Sequence, residues 1–293
     1  MIPRELLRKI RRLEVRTRGR VESVFGGAYH SAFKGRGIEF AEVRPYLYGD
    51  DVRAIDWNVS ARLGEPFVKL YHEEREQTLL LLVDVSASGH FGRAGQAKRD
   101  LAAEVCALLG FSALRNNDQV GLALFTDRVE RFVPPGKGRR HVLRLVRDLY
   151  AHEAAARGTR LAAALEHALR VLRRRAIVVL VSDFLDAGYG HALRAVAARH
   201  DLVAVRVVDA REEALPPVGL LAVVDAETGR PALVDTGSAA ARAAFAAHAA
   251  RQRAATEALL AEARVDLVTV RTGEDAADPL AAFFRRRNRS PRR

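Results

Sequence analysis

Four short apolar runs, separated by segments with helical spacing, constrain the fold of this chain more than any other feature. The runs are TLLLLVDV (78–85), VGLALF (120–125), AIVVLVSD (176–183) and LVAVRVVD (202–209). Each has the length and composition of a strand that is buried on both faces of a sheet. Helical spacing follows at 97–115, 139–150, 160–175 and 191–200. The alternation predicts an α/β fold: a mostly parallel, Rossmann-like sheet with helices on both faces.

The flanking segments complete this prediction. We expect a short helix at 4–15, an irregular, loop-rich stretch over 16–72 and a short edge strand at 129–133. Toward the end of the chain we expect a hairpin at 220–235, a long helix at 238–263, a strand at 265–270 and a helix at 278–287. We therefore divide the chain into an N-terminal segment that packs on the sheet domain (1–75), the sheet domain (76–287) and a basic tail (288–293).

Basic charge is concentrated at the two ends of the chain. Residues 1–20 and 285–293 together carry the whole formal net charge of +12, so the remainder is neutral. Two interpretations are open: solvated Arg-rich ends, or ends that bind nucleic acid or an anionic surface. The absence of a groove-reading motif favours the first interpretation, and we expect residues 285–293 to be dispensable for folding.

Composition excludes several classes of protein. With 49% hydrophobic and 29% charged residues, the chain is not disordered over its whole length. Its single cysteine, Cys106, cannot form an intramolecular disulfide, which fits a reducing compartment. The sequence has neither a membrane-spanning apolar run nor a signal-peptide core. We predict a cytoplasmic protein.

Polar residues follow the first and third apolar runs and precede one helix. They are Asp84, Ser86 and Ser88, then Asp183, and Thr159. Because the carboxyl ends of parallel strands meet at one edge of a sheet, we expect these side chains to converge near a topological switch point. Two carboxylates and three hydroxyls suit a hard cation, Mg²⁺ above all, with Mn²⁺ as the substitute. The alternative is local capping, since Ser and Thr are common helix N-caps.

These five residues resemble the metal-ion-dependent adhesion site (MIDAS) of von Willebrand factor A-type domains. The resemblance covers about residues 76–287. It implies a von Willebrand factor A-like fold in which the Ser and Thr hydroxyls coordinate Mg²⁺ and the Asp carboxylates act mostly through water.

A second resemblance lies upstream, in residues 28–62. The string Gly35-x-Gly37-x-Glu39-Phe40, the string from Arg44 to Trp57 and the pair Ala61-Arg62 are similar to the signature of the domain of unknown function 58 family. Members of the wider group are often encoded beside MoxR-type AAA+ ATPases and are thought to act as their adaptors or co-chaperones. This resemblance implies the same kind of partner here.

Charged and aromatic residues alternate through this signature. We predict a structural network, with Tyr46 and Trp57 as apolar anchors, because buried charges need partners. The alternative is a catalytic carboxylate pair, such as Asp50 with Asp51, or Asp56. The predicted network consists of Arg36, Glu39, Arg44, Tyr46, Asp50, Asp51, Arg53, Asp56, Trp57 and Arg62.

Three functions follow from these features. The first is a non-enzymatic module that binds an acidic side chain of a protein partner through Mg²⁺. The second is a metal-dependent hydrolase that uses the same oxygen cluster, although the sequence shows no general base for it. The third is binding of nucleic acid or an anionic surface by the basic ends. We expect the first.

Overall fold

The computed structural model describes residues 4–23, 28–33, 39–72, 76–93, 96–226 and 229–289. Residues 33–77 form one structural unit, and residues 1–32 with 78–293 form the other. The helices are α1 (Arg4–Ser23), α2 (Ala28–Ala32), α3 (Trp57–Leu63), α4 (Lys98–Arg115), α5 (Arg139–Ala151), α6 (Leu161–Val171), α7 (Gly190–Arg199), α8 (Ala210–Glu213), α9 (Ala239–Glu262) and α10 (Ala277–Arg289). The strands are β1 (Glu39–Pro45), β2 (Phe67–His72), β3 (Thr78–Asp84), β4 (Gly92–Arg93), β5 (Gln96–Ala97), β6 (Gln119–Phe125), β7 (Val129–Gly136), β8 (Ile177–Ser182), β9 (Asp201–Val208), β10 (Leu220–Val224), β11 (Pro231–Asp235) and β12 (Asp266–Arg271).

The larger unit is built on a six-stranded sheet in the order β12-β9-β8-β3-β6-β7. All neighbouring pairs are parallel except β6 with β7, which is antiparallel. Strand β3 lies in the middle, and its Leu81 pairs with Leu122 on one side and Val179 on the other. The mixed α/β fold with a mostly parallel sheet is confirmed. The chain extends from β3 to β6 on one side and later crosses to β8, so the switch point lies between β3 and β8.

Side chains of β3 alternate between two buried layers. Leu80 and Leu82 belong to a core that also contains Leu165 of α6 and Leu193 of α7. On the opposite side α4 packs against β3, β6 and β9. Helix α4 is buried over most of its 18 residues, because α1 and α5 cover the side that the sheet does not.

Helix α1 differs from the expectation for the basic N-terminus. It extends to Ser23, beyond the predicted helix of 4–15, and it packs on α4 and α5 with Ile10 and Leu13 buried. Several of its basic side chains form ion pairs inside the larger unit while staying about half exposed, so this end is a docked helix and not a free tail. These pairs are Lys9–Asp100, Arg16–Glu104 and Arg20–Asp275.

The basic C-terminal segment is likewise part of the fold up to Arg289. Helix α10 packs on β12 and α2, and its Arg287 is buried in ion pairs with Asp201 and Asp266. The expectation that residues 285–293 are dispensable is therefore wrong for Arg287, whose loss leaves the partly buried carboxylates of Asp201 and Asp266 without their counter-ion. The predicted tail begins in the last turn of α10, and residues 290–293 lie outside the described residues.

The unit formed by residues 33–77 is less irregular than predicted. Strands β1 and β2 pair in an antiparallel hairpin with a bulge between Phe40 and Glu42. Between them lies α3, which ends at Gly64 in the left-handed conformation that glycine adopts without strain. The packing of the 1–75 segment on the sheet domain stays a prediction.

The C-terminal predictions agree with the structure. Strands β10 and β11 form the predicted hairpin, with Leu220 opposite Asp235 and Val224 opposite Pro231. Helix α9, strand β12 and helix α10 follow in the expected order. None of the helices in the described ranges is long and apolar enough to cross a membrane.

Candidate metal site at the carboxyl edge of the sheet

The ends of β3 and β8 meet, as the sequence predicts. The Ser182 hydroxyl, at the end of β8, donates a 2.7 Å hydrogen bond to Asp84 Oδ2, at the end of β3. The other oxygen of Asp84 accepts a 3.0 Å bond from the backbone N–H of Ser86. Asp84 is therefore held in place from both strands, and Asp183 follows directly after Ser182 at the switch point.

Two of the predicted hydroxyl ligands are adjacent. Ser86 Oγ and Ser88 Oγ lie 3.1 Å apart in the turn that follows β3. Ser86 is the N-cap residue of the short helical turn Ala87–His90, but its side chain makes no capping bond there. Capping of this turn therefore does not account for Ser86. The residue is only 1% exposed, and its hydroxyl lies beside that of Ser88.

Thr159 lies in the loop that packs beside this turn. The N–H of Ala87 donates to the carbonyl of Arg157, and the N–H of Arg160 donates to the carbonyl of Thr126 at the end of β6. Thr159 Oγ1 is buried and has no hydrogen-bond partner among the described residues. Thr159 does not cap α6 either, because the first N–H of α6 bonds to Asp186. A buried hydroxyl without a partner indicates a missing ligand or water.

Lys98 is a member of this site that the sequence analysis missed. Its ammonium lies 2.7 Å from Asp183 Oδ2 and 2.6 Å from Glu212 Oε1, and its side chain is 3% exposed. Lys98 is the first residue of α4, where a cation opposes the helix dipole. A lysine at the first position of a predicted helix is the sequence signal that could have pointed to Lys98. Glu212 belongs to α8, and its place beside Lys98 depends on tertiary structure alone.

The electrostatics of the site reflect burial and the close carboxylates. Burial, with the nearby negative charge of Asp183, raises the pKa of Asp84 to about 6, although the bonds from Ser182 and Ser86 act in the opposite direction. Burial alone lowers the pKa of Lys98, but Asp183 and Glu212 outweigh this effect and raise it above its usual value. Lys98 is consequently an ammonium ion at neutral pH.

Of the five predicted ligands, Asp84, Ser88 and Asp183 line a common cavity, whereas Ser86 and Thr159 are not part of its lining. Lys98 also bounds this cavity, whose volume of about 20 Å³ is room for one water-sized occupant. All the neutral donors are hydroxyl oxygens, as Mg²⁺ prefers. No cluster of three or more His, Cys, Asp or Glu side chains suited to a metal occurs within the described residues. A cation here would therefore depend on hydroxyls and water, with Lys98 already neutralising Asp183.

The signature residues of the 33–77 unit are only partly brought together. Arg44 and Asp50 form a two-pronged ion pair of 2.6 and 2.7 Å, and this hydrogen bonding lowers the pKa of Asp50 to about 2. Asp51 and Asp56 cap short helical turns, and Asp56 also lies 3.4 Å from the ammonium of Lys69. Asp50 and Asp51 thus each have a structural partner.

Other members of the signature are placed differently. Tyr46 is half-buried, but Trp57 is 67% exposed and is not a buried anchor. Arg53 and Arg62 are exposed, and neither has an ion pair with any described residue. Arg36 lies outside the described residues, as does the side chain of Glu39.

Comparison with known families and sequences gives a consistent match. Residues 42–255 match the family described as "Protein of unknown function DUF58". An uncharacterized protein of Mycobacterium tuberculosis is 34% identical over 97% of this chain and 90% of its own length. An uncharacterized protein of Mycobacterium avium is 35% identical over 54% of this chain and 94% of its own length.

Solved structures with a similar fold share little sequence with this chain. The protein BatB from Bacteroides thetaiotaomicron aligns with a TM-score of 0.47 and 15% identity, over 73% of this chain and 100% of its own. The PilB minor pilin from Streptococcus sanguinis aligns with a TM-score of 0.40 and 9% identity, over 77% of this chain and 64% of its own. Similarity at this level adds nothing to the functional argument.

Proposed function

The chain belongs to the DUF58 family, which is described as having unknown function, and we propose its function from the geometry of the site, with the family resemblance as a guide to the partner. The protein is a non-enzymatic binding module that holds Mg²⁺, or Mn²⁺ in its place, where β3 and β8 end. One observation carries this proposal: the buried Thr159 hydroxyl has no partner, in the loop bonded to the turn that carries the Ser86–Ser88 pair. A buried oxygen atom without a hydrogen-bond partner is suited to bind a hard cation.

The residues of the site divide into two groups. Ser86, Ser88 and Thr159 would hold the ion through their hydroxyls, while Asp84 and Asp183 would contribute negative charge. The ion would supply an open coordination position for a carboxylate of the partner. Because most of the donors are neutral and Lys98 offsets Asp183, affinity for the metal alone should be low and should rise when the partner carboxylate binds.

The partner is a protein that presents an acidic side chain. The family resemblance supports a MoxR-type AAA+ ATPase as this partner, and the module would then act as its adaptor or co-chaperone in the cytoplasm. Hydrolysis is the weaker alternative: the pKa of Asp84, about 6, would suit a general base, but the hydrogen-bonding groups of the site are already engaged. Asp84 already accepts two hydrogen bonds, and Lys98 is an ammonium ion paired with two carboxylates.

The test removes the paired hydroxyls and measures metal binding directly. The variant Ser86→Ala/Ser88→Ala should weaken Mn²⁺ binding, followed by electron paramagnetic resonance, by about tenfold or more. Ser112→Ala is the matched control, because it removes a buried serine hydroxyl that bonds to Leu108 inside α4, away from the site. Its Mn²⁺ affinity should equal that of the wild type.

Partner binding is then measured with a purified MoxR-type ATPase, with Mg²⁺ and with EDTA. Capture should fall in EDTA and in the double variant, while circular dichroism spectra stay unchanged. Unchanged Mn²⁺ binding by the double variant would contradict the proposed metal site. Phosphatase or nuclease turnover that needs Mg²⁺ and disappears in the double variant would instead support the hydrolase.

A further inference from the structure

A larger cavity lies between α6 and the beginning of β7. It has a volume of about 480 Å³, and its lining includes Arg128, Arg160 and Arg170. We call it the arginine pocket. Its wall contains Phe132, which packs against the core, and His167, whose ring meets Phe132 edge-on at 4.8 Å between centroids. The pocket therefore combines an apolar wall with guanidinium groups.

Most of the charged groups that line the pocket already have partners in the fold. The carboxylate of Glu130 is buried and accepts bonds from Thr126, His152 and two backbone N–H groups. Arg131 is paired with Asp148 at 2.7 Å, and Arg128 lies 3.5 Å from Asp127. Glu130 and Arg131 are fixed by these bonds and contribute little free charge to the cavity, whereas Arg128 and Asp127 form an exposed pair between neighbouring residues.

Two arginines of the pocket are not paired in this way. Arg160 and Arg170 form no hydrogen bond or ion pair with side chains of the described residues. The lining also contains Glu166, whose exposed side chain lies between the two arginines in the sequence. His167 Nε2 is buried without a hydrogen-bond partner, and burial together with Arg170 lowers the pKa of His167. A neutral imidazole in this setting can still bond to an incoming polar group.

The spacing of the free arginines defines the shape of an occupant. Arg160 precedes α6 and Arg170 lies near its end, so ten residues at a rise of about 1.5 Å separate their Cα atoms by roughly 15 Å along the helix axis, and both side chains are exposed. An extended peptide advances about 3.3 Å per residue, so four to five residues span this distance. Guanidinium groups bind carboxylates through paired, charge-assisted hydrogen bonds. The fitting ligand is an extended peptide with acidic side chains several residues apart.

We infer that the arginine pocket is a second recognition site, which holds an acidic, extended segment of a protein partner. This inference rests on the proposed function for the identity of that partner. Arg160 directly follows Thr159 in the sequence, so the pocket begins at the loop that carries a candidate metal ligand. One acidic segment can thus place a carboxylate at the metal edge and continue along α6.

The test uses a fluorescein-labelled hexaglutamate peptide and fluorescence anisotropy at low ionic strength. The variant Arg160→Gln/Arg170→Gln should weaken binding by about tenfold, because two charge-assisted contacts are lost. The matched control is Arg173→Gln/Arg174→Gln, which changes the net charge equally at two exposed arginines just after α6, outside the pocket. It should bind within about twofold of the wild type.

Three results would overturn the inference: equal weakening by both double variants, no weakening by either, or equal binding of a hexaglutamine peptide. A single-stranded oligonucleotide that binds more tightly than hexaglutamate, through the same two arginines, would reassign the pocket to nucleic acid. The titrations are run in Mg²⁺ and in EDTA. Under the proposed function, hexaglutamate should bind more tightly in Mg²⁺ than in EDTA. Equal binding in both, with the arginine effect intact, would overturn the metal proposal alone, whereas loss of the arginine effect would overturn the pocket.

Discussion

Replacing Lys98 by methionine tests whether its ammonium neutralises the carboxyl edge of the sheet. Methionine keeps the length and apolar contacts of the side chain but removes the positive charge. Asp183 and Glu212 then lose the cation that lies 2.7 and 2.6 Å from them. Because the Asp183 side chain is only 6% exposed, water cannot replace that cation without a change in structure.

The magnitude follows from burial. Breaking a buried ion pair by removing one partner costs about 3–5 kcal/mol. The Glu212 side chain is 23% exposed and partly solvated, so we expect the lower end, about 3 kcal/mol. For a domain of this size each kcal/mol lowers the melting temperature by about 2–4 °C, which gives a loss of about 6–12 °C. Thermal unfolding followed by circular dichroism measures it.

Two further measurements serve as controls for the loss of stability in Lys98→Met. Lys69→Met removes an ammonium from a partly exposed pair 3.4 Å from Asp56 and should cost less than about 1 kcal/mol. Added Mg²⁺ should restore part of the stability of Lys98→Met, because a cation at the site again neutralises the carboxylates. A Lys98→Met protein that melts within about 2 °C of the wild type would refute the reasoning.

Further predictions concern groups away from this site. Burial alone raises the pKa of Glu130, but hydrogen bonds from Thr126, two backbone amides and His152 lower it to about 2. In urea titrations Glu130→Gln should cost about 2–3 kcal/mol at neutral pH, and its difference from the wild type should shrink as the pH falls from about 4.5 toward 2, where the native carboxylate is protonated. Burial raises the pKa of Cys106 to about 12, so iodoacetamide should label it at about pH 8 only in unfolded protein; labelling of the native chain would contradict this burial. Arg287→Met should cost about 3 kcal/mol in the same urea titrations, because the carboxylate of Asp201 loses its buried partner; unchanged stability would show that α10 does not depend on this pair.

Local sequence pattern accounts for the strands and for part of the candidate site. The runs that became β3, β6, β8 and β9 are apolar at nearly every buried position, with Arg206 of β9 as the charged exception, and this pattern is visible without a structure. Asp84, Ser86 and Ser88 follow a run directly, so their place at the strand end could be predicted. The function of that site stays a proposal.

Strands and helices could be read from local pattern, because burial and periodicity are expressed in neighbouring residues. Which distant charges meet became visible only in the folded chain. Lys98 pairs with Glu212 across 114 positions of sequence, and Arg287 pairs with Asp201 across 86. Such pairs depend on strand order and helix docking, which local pattern does not encode. The basic ends appeared to be solvated for the same reason: a row of arginines has the same sequence whether it faces water or a buried carboxylate.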